Sequence, residues 1–189
     1  MGNVDTSQFR NGLKLELDGQ PFVITYFQHV KPGKGGAFVR TKIKSLTTGR
    51  SIDRTFRSGE KAPEANVEER EMQYLYHDGE NLVFMDSESY EQTPISEENV
   101  GEARLFLKEN TEVEVLFWNG NPINIELPSF VELEVTKSDP GLKGDTSSGA
   151  TKPATLETGA EIQVPLFIKE GDILRVDTRT GEYAERKSS

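Results

Sequence analysis

The sequence predicts an all-β protein made of three small β-barrel domains. Short runs in which apolar and polar residues alternate recur along most of the chain, and this period of two is typical of strands with one buried face. Pairs such as Asp18-Gly19 and Asn119-Gly120 separate many of these runs and favour tight hairpin turns. Short strands at this spacing are typical of small barrels.

The first predicted domain covers residues 1–64. Leucines alternate with polar residues in LKLEL (13–17), and the run PFVITYF (21–27) follows the Asp-Gly turn. The run AFVRTKIKSL (37–46) alternates in the same way, and a Thr-Thr-Gly turn leads from it into SIDRTF (51–56). The pattern therefore predicts a set of hairpins.

The middle domain is predicted to contain one helix. Residues 70–127 have the order strand, strand, strand, helix, strand, strand, which is the order of an OB-fold. Ser96 can cap a helix with the sequence EENVGEARLFLKE, which has acidic residues in its first turn. The residues expected on one apolar face of this helix are Val100, Ala103, Phe106 and Leu107.

The last third of the chain shows another set of short strands. A polar segment rich in glycine and serine, residues 138–151, interrupts them. Proline, glycine and polar residues break the pattern at GEKAPEAN (59–66) and at LPSF (127–130), so we place domain boundaries there. The predicted domains are residues 1–64, 65–127 and 128–189.

Charge is strongly segregated among these three domains. Residues 1–64 hold 11 Lys and Arg against 6 Asp and Glu, whereas residues 65–127 hold 3 against 15. Residues 31–57 contain 8 basic side chains and one acidic side chain. Such segregation of charge indicates which binding partners the protein has, and says little about its fold. The first domain suits phosphate, and the middle domain would repel nucleic acid.

Several classes of protein are excluded by composition. The chain has no cysteine, so it has neither disulfides nor thiolate sites. The N-terminal sequence has no apolar signal region, and no stretch approaches the ~18 apolar residues of a membrane span. His29 and His77 lack partners at metal-ligand spacing, so no metal is expected. We expect a cytoplasmic protein with no membrane association.

The stretch HVKPGKGGAFVR (29–40) places Lys34 among turn residues. A phosphate-binding P-loop requires Ser or Thr after its lysine and a helix beyond it, but here Gly35 follows and then a predicted strand. A Schiff-base lysine needs a desolvated pocket, which a glycine-rich tip does not supply. Two interpretations stay open: a merely solvated hairpin tip, or an amine that projects into RNA or into a modifying enzyme.

Two distant motifs resemble bacterial elongation factor P. The run KPGKGGAFVRTKIKSLTTG (31–49) is similar to the N-terminal domain of that family. FVELEV (130–135), DPGLKGDT (139–146) and GEYAER (181–186) are similar to its third domain. The third domain also matches at Lys152, Ala154, Gly159, Ile162, Val164, Pro165, Ile168 and Gly171.

The resemblance implies a fold and a set of partners. The fold would be an SH3-like (KOW-like) N-terminal barrel followed by two OB-folds, in an L-shaped arrangement similar to tRNA. The protein would bind the ribosome between the P and E sites, contacting ribosomal RNA, ribosomal proteins and the P-site peptidyl-tRNA. It would rescue ribosomes stalled at consecutive prolines and act as a monomer without catalytic residues or a cofactor. By its charge alone, the acidic run in residues 65–127 is ordinarily a solvated surface, and if it binds, a basic ribosomal protein is its natural partner.

The resemblance also implies roles for individual residues. Lys34 matches the tip lysine that many members carry with a lysyl (β-lysyl) extension added by a modifying enzyme, whereas other branches carry arginine or a differently modified lysine. The implied contacts with tRNA and ribosomal RNA are Lys31, Pro32, Gly33, Lys34, Gly35, Arg40 and Lys42. The implied contacts with messenger RNA and the small subunit are Gly144, Asp145, Thr146, Tyr183 and Arg186.

Two other functional hypotheses compete with a translation factor. A generic RNA-binding β-barrel protein without ribosome specificity fits the basic first domain, but fits the acidic middle domain less well. An enzyme that depends on a lysine or a nucleotide would need a lysine of lowered pKa or a phosphate loop, and the sequence supports neither.

Overall fold

The computed structural model describes residues 2–141 and 149–187, and the architecture is all-β as predicted. By contacts the chain divides into two compact units, residues 1–69 with 115–124 and residues 70–114 with 125–189. The three-domain boundaries near residues 64 and 127, and the L-shaped arrangement, stay predictions.

Six strands form the first part of the chain, in a four-stranded sheet of order β2-β3-β4-β5 and a two-stranded sheet of β1 and β6. A one-turn 3-10 helix, Thr6–Gln8, follows β1, and the side chain of Asp5 caps it. The strands are β1 (Asn3–Asp5), β2 (Lys14–Leu17), β3 (Gln20–Val30), β4 (Phe38–Ser45), β5 (Ser51–Arg57) and β6 (Lys61–Pro63).

The inner face of this sheet carries an apolar core. Leu15, Val39 and Ile43 are fully buried, and the ring of Phe56 meets that of Phe9 edge to face at 5.0 Å between centroids. Alternation in β4 puts Val39, Thr41 and Ile43 inside, with polar neighbours outside. The period of two seen in the sequence is therefore the inside–outside alternation of the barrel wall.

Five strands with the order β11-β10-β7-β8-β9 follow. Met72, Phe84 and Val115 are fully buried among them. Numbered along the chain, this sheet has the order 5-4-1-2-3, which is the order of an OB-fold. The strands are β7 (Val67–His77), β8 (Asn81–Asp86), β9 (Gln92–Ser96), β10 (Glu112–Trp118) and β11 (Asn121–Glu126).

The predicted long helix was wrong in its length. Ser96 does act as the N-cap, because its side chain accepts a hydrogen bond from the backbone N–H of Asn99. The α-helix α1 (Glu97–Val100) nevertheless ends after one turn, a 3-10 helix follows at Gly101–Phe106, and residues 107–109 are not helical. Gly101 has φ of +63° and ψ of −142°, a conformation that a right-handed helix cannot continue through.

The last five strands repeat the same topology. Their order is β14-β13-β12-β15-β16, and β14 contacts β16 at the position where an OB barrel closes. Leu133, Leu156 and Leu174 are buried at the centre of this barrel. The strands are β12 (Phe130–Ser138), β13 (Thr151–Leu156), β14 (Glu161–Pro165), β15 (Ile173–Asp177) and β16 (Glu182–Arg186).

The predicted tight turns are present. Asp18 and Gly19 have φ of 52° and 72°, and Asn119 and Gly120 have φ of 50° and 80°. Positive φ at both central residues defines the type I′ turn, whose twist matches that of paired strands. Among residues 2–141 and 149–187, no helix is both long enough and apolar enough to cross a membrane.

Two isoleucines that face each other across β4 and β5 test the position of the core. Ile43 is fully buried and its register partner Ile52 is 49% exposed. We expect Ile43→Ala to lower the free energy of unfolding by about 2–5 kcal/mol, because it leaves a cavity in a packed core. Urea unfolding followed by far-UV circular dichroism measures this change.

The matched control is Ile52→Ala, which removes the same atoms from a partly solvated position and should cost less than about 1 kcal/mol. Equal losses of stability for the two variants would contradict this assignment of the core.

Candidate nucleic-acid interface

Lys34 stands at the tip of a loop that joins β3 to β4. Residues 31–36 are all exposed, and a Cβ added at Gly33, Gly35 or Gly36 would meet no described atom within 4 Å. Gly35 has φ of +104°, which glycine adopts without strain. Among the described residues, no acidic side chain lies within ion-pair distance of Lys34. The amine is therefore free to reach a partner.

The base of this loop is firmly held. Strands β3 and β4 pair as far as Val30, where β3 ends before the loop, and Phe38, where β4 begins after it. The backbone N–H of Ser58 donates to the carbonyl of Ala37 at 3.0 Å, which ties the end of β5 to the loop as well. The hairpin thus positions the tip, while the glycines leave space around the lysine.

Arg40 and Lys42 lie on the outward face of β4, directly after the loop. They alternate with the buried Val39, Thr41 and Ile43, so both charges point away from the core. The guanidinium of Arg40 lies 5.5 Å from the centroid of the Phe38 ring, a cation–π contact. The structure therefore brings these two predicted residues together with the loop on one element.

Additional side chains share this outward face. In register, Lys42 lies between Tyr26 of β3 and Asp53 of β5, and Phe38 lies opposite Arg57. Of the residues on this face, the sequence had predicted only Arg40 and Lys42 as contacts. We define the basic face by five exposed residues: Tyr26, Arg40, Lys42, Lys44 and Arg57. Such a surface suits a phosphate backbone, and an exposed tyrosine adds a place for a base to stack.

The position of Tyr26 could not be deduced from alternation. Ile24 is buried, so a strict period of two would place Tyr26 inside as well. The register shifts between Ile24 and Tyr26, and this bulge turns Tyr26 outward, where it is 49% exposed. A bulge leaves only a weak signal in a single sequence. Here the signal is that the apolar residues of VITYF (23–27) do not alternate strictly with polar residues.

The predicted contacts in the third domain lie in two different environments. Tyr183 is half-buried and packs against the third-domain core, whereas Arg186 is exposed. The guanidinium of Arg186 lies 5.1 Å from the centroid of the Phe167 ring and 3.9 Å from a carboxylate oxygen of Asp172. Gly144, Asp145 and Thr146 lie outside the described residues.

The described part of that segment is anchored by a buried lysine. The amine of Lys152 donates to the carbonyl of Asp139 at 2.6 Å, and Lys152 is only 8% exposed. The sequence comparison had matched Lys152 without assigning it a role. Its position indicates that it holds the residues just before the Gly144 segment against β13.

The chemistry available at the Lys34 loop is binding chemistry. A solvated amine can donate hydrogen bonds to RNA oxygens, but it lacks the buried pocket that a nucleophilic lysine needs. In the described ranges, no group of three or more histidine or acidic side chains could hold a metal ion. The ring nitrogen Nε2 of His77 instead lies 3.1 Å from Oε1 of Glu97. The guanidinium of Arg104 lies 3.3 Å from the same carboxylate oxygen.

Family models match three consecutive stretches of the chain. Residues 5–62 match the "Elongation factor P (EF-P) KOW-like domain", residues 67–125 the "Elongation factor P (EF-P) OB domain", and residues 131–186 "Elongation factor P, C-terminal". The KOW-like and OB matches agree with the barrel sheets described above.

Individual relatives extend this similarity over nearly the full length. Elongation factor P of Acetivibrio thermocellus is 56% identical over 183 residues, which cover 97% of this chain and 99% of the relative. Elongation factor P of Moorella thermoacetica is 57% identical with the same coverage.

A solved structure of eukaryotic translation initiation factor 5A from Methanococcus jannaschii superposes with a TM-score of 0.52 at 24% identity, covering 64% of this chain and 90% of the other. That likeness supports the fold alone. The sequence identities and the three family matches establish more: this chain belongs to the elongation factor P family of translation elongation factors.

Proposed function

We propose that the protein binds the ribosome between the P and E sites and stimulates peptide-bond formation at consecutive prolines. It acts by positioning the P-site peptidyl-tRNA through Lys34. The single observation that carries the proposal is the isolation of the Lys34 amine at the tip of a firmly held hairpin. Family membership supplies the ribosome as the partner.

The physical basis of the proposed activity is orientation. A prolyl acceptor is a constrained secondary amine, and a prolyl donor is constrained too, so the reacting groups can be poorly aligned. Holding two reactants in attacking geometry is worth up to about 7–11 kcal/mol in the ideal case. The ribosome supplies the chemical step, so the factor itself acts without catalytic residues, metal or cofactor, as a monomer in the cytoplasm.

The basic face supports the same proposal. Tyr26, Arg40 and Lys42 lie on the strands that carry the loop, so RNA held there would direct Lys34 toward the nearby tRNA end. In this proposal Lys31, Pro32, Gly33 and Gly35 approach the RNA backbone with the loop. Tyr183, Arg186 and the Gly144–Thr146 segment contact the small subunit and its message.

A covalent extension of Lys34 is part of the proposal. A lysyl (β-lysyl) group added by a modifying enzyme would lengthen the side chain and add donors for RNA oxygens. The exposure of residues 31–36 supports access by such an enzyme.

The first test removes the tip amine. We expect Lys34→Ala, in protein purified from its native host, to slow synthesis of a reporter with three consecutive prolines and to spare a proline-free reporter. A solvated tip contributes little to stability, so the melting temperature should not change. Reconstituted translation measures both rates.

Lys137→Ala is the control, because Lys137 is also exposed but lies on β12. If Lys34→Ala supports both reporters as well as the unaltered protein does, the proposed function is wrong, and a generic RNA-binding role becomes the better explanation.

The second test concerns modification. The intact mass of the protein from its native host should exceed the mass calculated from the sequence by one lysyl group. Peptide mapping should assign this excess mass to Lys34. A fully active native protein of unaltered mass would refute this part of the proposal.

The third test concerns the basic face. Replacing Arg40 and Lys42 together by Gln should weaken ribosome binding, because two phosphate contacts are lost. The slope of log K against log salt should fall by about 2. Co-sedimentation at several salt concentrations measures it, and Lys137→Gln, with an unchanged slope, is the control. An unchanged slope for the double variant would show that the basic face does not meet phosphate.

A further inference from the structure

Phe167 is an exposed aromatic side chain of the third domain. It lies in the turn that follows β14, where the backbone N–H of Ile168 donates to the carbonyl of Pro165 at 3.2 Å. Ile168 is fully buried, whereas Phe167 is 55% exposed and lies outside the core cluster of this barrel. A single exposed apolar side chain is common in folded proteins. The distinctive feature of Phe167 is the side chain that covers its ring.

That side chain is Arg186, the last residue of β16. Its guanidinium lies over the Phe167 ring, 5.1 Å from the centroid, which is within the range of a cation–π contact. The end of β16 is fixed, because Arg186 is in register with Leu174 of β15 and the backbone N–H of Lys187 donates to the carbonyl of Ile173 at 2.9 Å. The ring therefore supports a guanidinium whose backbone is already held in place.

The neighbouring basic side chains of β15, β16 and the residues beside them are paired in a different way. Each donates a hydrogen bond to a carboxylate oxygen, so its charge is balanced and some of its donors are used. The pairs are Arg175–Glu185 at 3.1 Å, Arg179–Asp177 at 2.9 Å and Lys187–Glu132 at 2.6 Å.

Arg186 uses none of its donors in this way. Its guanidinium is 3.9 Å from Oδ2 of Asp172, which is beyond hydrogen-bond distance, and that oxygen already accepts from the backbone N–H of Lys169 at 2.9 Å. Within residues 2–141 and 149–187, no hydrogen bond engages the guanidinium of Arg186. The face of the Phe167 ring orients the cation without such a bond, so the N–H donors of Arg186 stay available to a ligand.

An oriented guanidinium with available donors is suited to an anion. Its planar fork matches the oxygens of a phosphate group, to which it can donate two parallel hydrogen bonds. The side chain of Arg186 is 47% exposed, so a phosphate can reach it. On a ribosome the prevailing anion is the phosphate of RNA, because many ribosomal proteins are cationic.

We propose that Phe167 is a positioning residue for Arg186, and that it holds the guanidinium ready to bind a phosphate group of RNA in the small ribosomal subunit. Holding a long side chain in place before binding lowers the entropy lost when the ligand arrives. This inference rests on the proposed function, in which Arg186 contacts the small subunit. It adds a residue to which the sequence comparison had given no role.

The first experiment measures binding of the full chain to purified ribosomes by co-sedimentation. Phe167→Ala removes the ring, and its apparent Kd should rise about threefold to tenfold, because the Arg186 side chain must then be immobilised on binding. Phe167→Tyr keeps an aromatic ring and should bind almost normally. The melting temperature of Phe167→Ala should change little, since the ring lies outside the core.

A double-mutant cycle distinguishes positioning from support of the barrel. Arg186→Gln removes the phosphate contact, so its Kd should rise and the slope of log K against log salt should fall by about 1. In the Arg186→Gln protein, Phe167→Ala should cause no further loss of binding, because the ring then has no guanidinium to hold. A ring that only supported the barrel would cause the same loss in both proteins.

The matched control is Ile173→Ala, which truncates another apolar side chain of this barrel, 44% exposed, and should bind ribosomes normally. Three results overturn the inference: normal binding by Phe167→Ala, normal binding by Arg186→Gln, or equal losses from Phe167→Ala in both backgrounds. Each of them leaves ribosome binding by the unaltered protein intact. If the unaltered protein fails to sediment with ribosomes, the proposed function itself is wrong and this inference falls with it.

A second experiment identifies the ligand. The full chain with p-azidophenylalanine in place of Phe167 keeps an aromatic ring and is irradiated on ribosomes. We expect an adduct with small-subunit RNA, which ribonuclease degrades. An adduct to a ribosomal protein alone would show that the anion is a carboxylate. That result, an adduct to a second copy of this chain, or no adduct on ribosomes that bind the protein would each overturn the inference.

Discussion

The antiparallel pairing of β3 with β4 is the constraint on which the rest of the first domain depends. The pairing runs without a gap from the Tyr26–Lys42 pair to the last residues before the Lys34 loop. It fixes where the loop begins and which face carries Arg40, and it allows the loop itself to consist of residues that form no core. An exposed tip on a paired base can meet a partner without a change in the core of the domain.

Charge divides the surface between two kinds of partner. The basic face suits RNA, whereas residues 65–127 hold 15 acidic against 3 basic side chains and would repel it. A ribosome offers both, since its RNA is anionic and many of its proteins are cationic. Segregating the two signs on different domains also disfavours docking in the wrong orientation, because each face would then meet a surface of its own charge.

Local patterns predicted much of this architecture. The strands and the Asp18-Gly19 and Asn119-Gly120 turns are set by neighbouring residues, so a single sequence contains enough information for them. Local patterns were insufficient where one residue changed the backbone geometry. Gly101 ended a helix whose apolar spacing continued, and a bulge before Tyr26 reversed the face of that residue.

The sequence by itself determined the all-β class, the separation of charge and the exposure of Lys34, because turn chemistry, period and composition are local properties. Its family resemblance added the expected partners. Only the tertiary structure decided which residues share a surface, since strand register is set by packing between distant segments. Register placed Tyr26 of β3 beside Lys42 of β4. This placement depends on a pairing that no short stretch of sequence specifies.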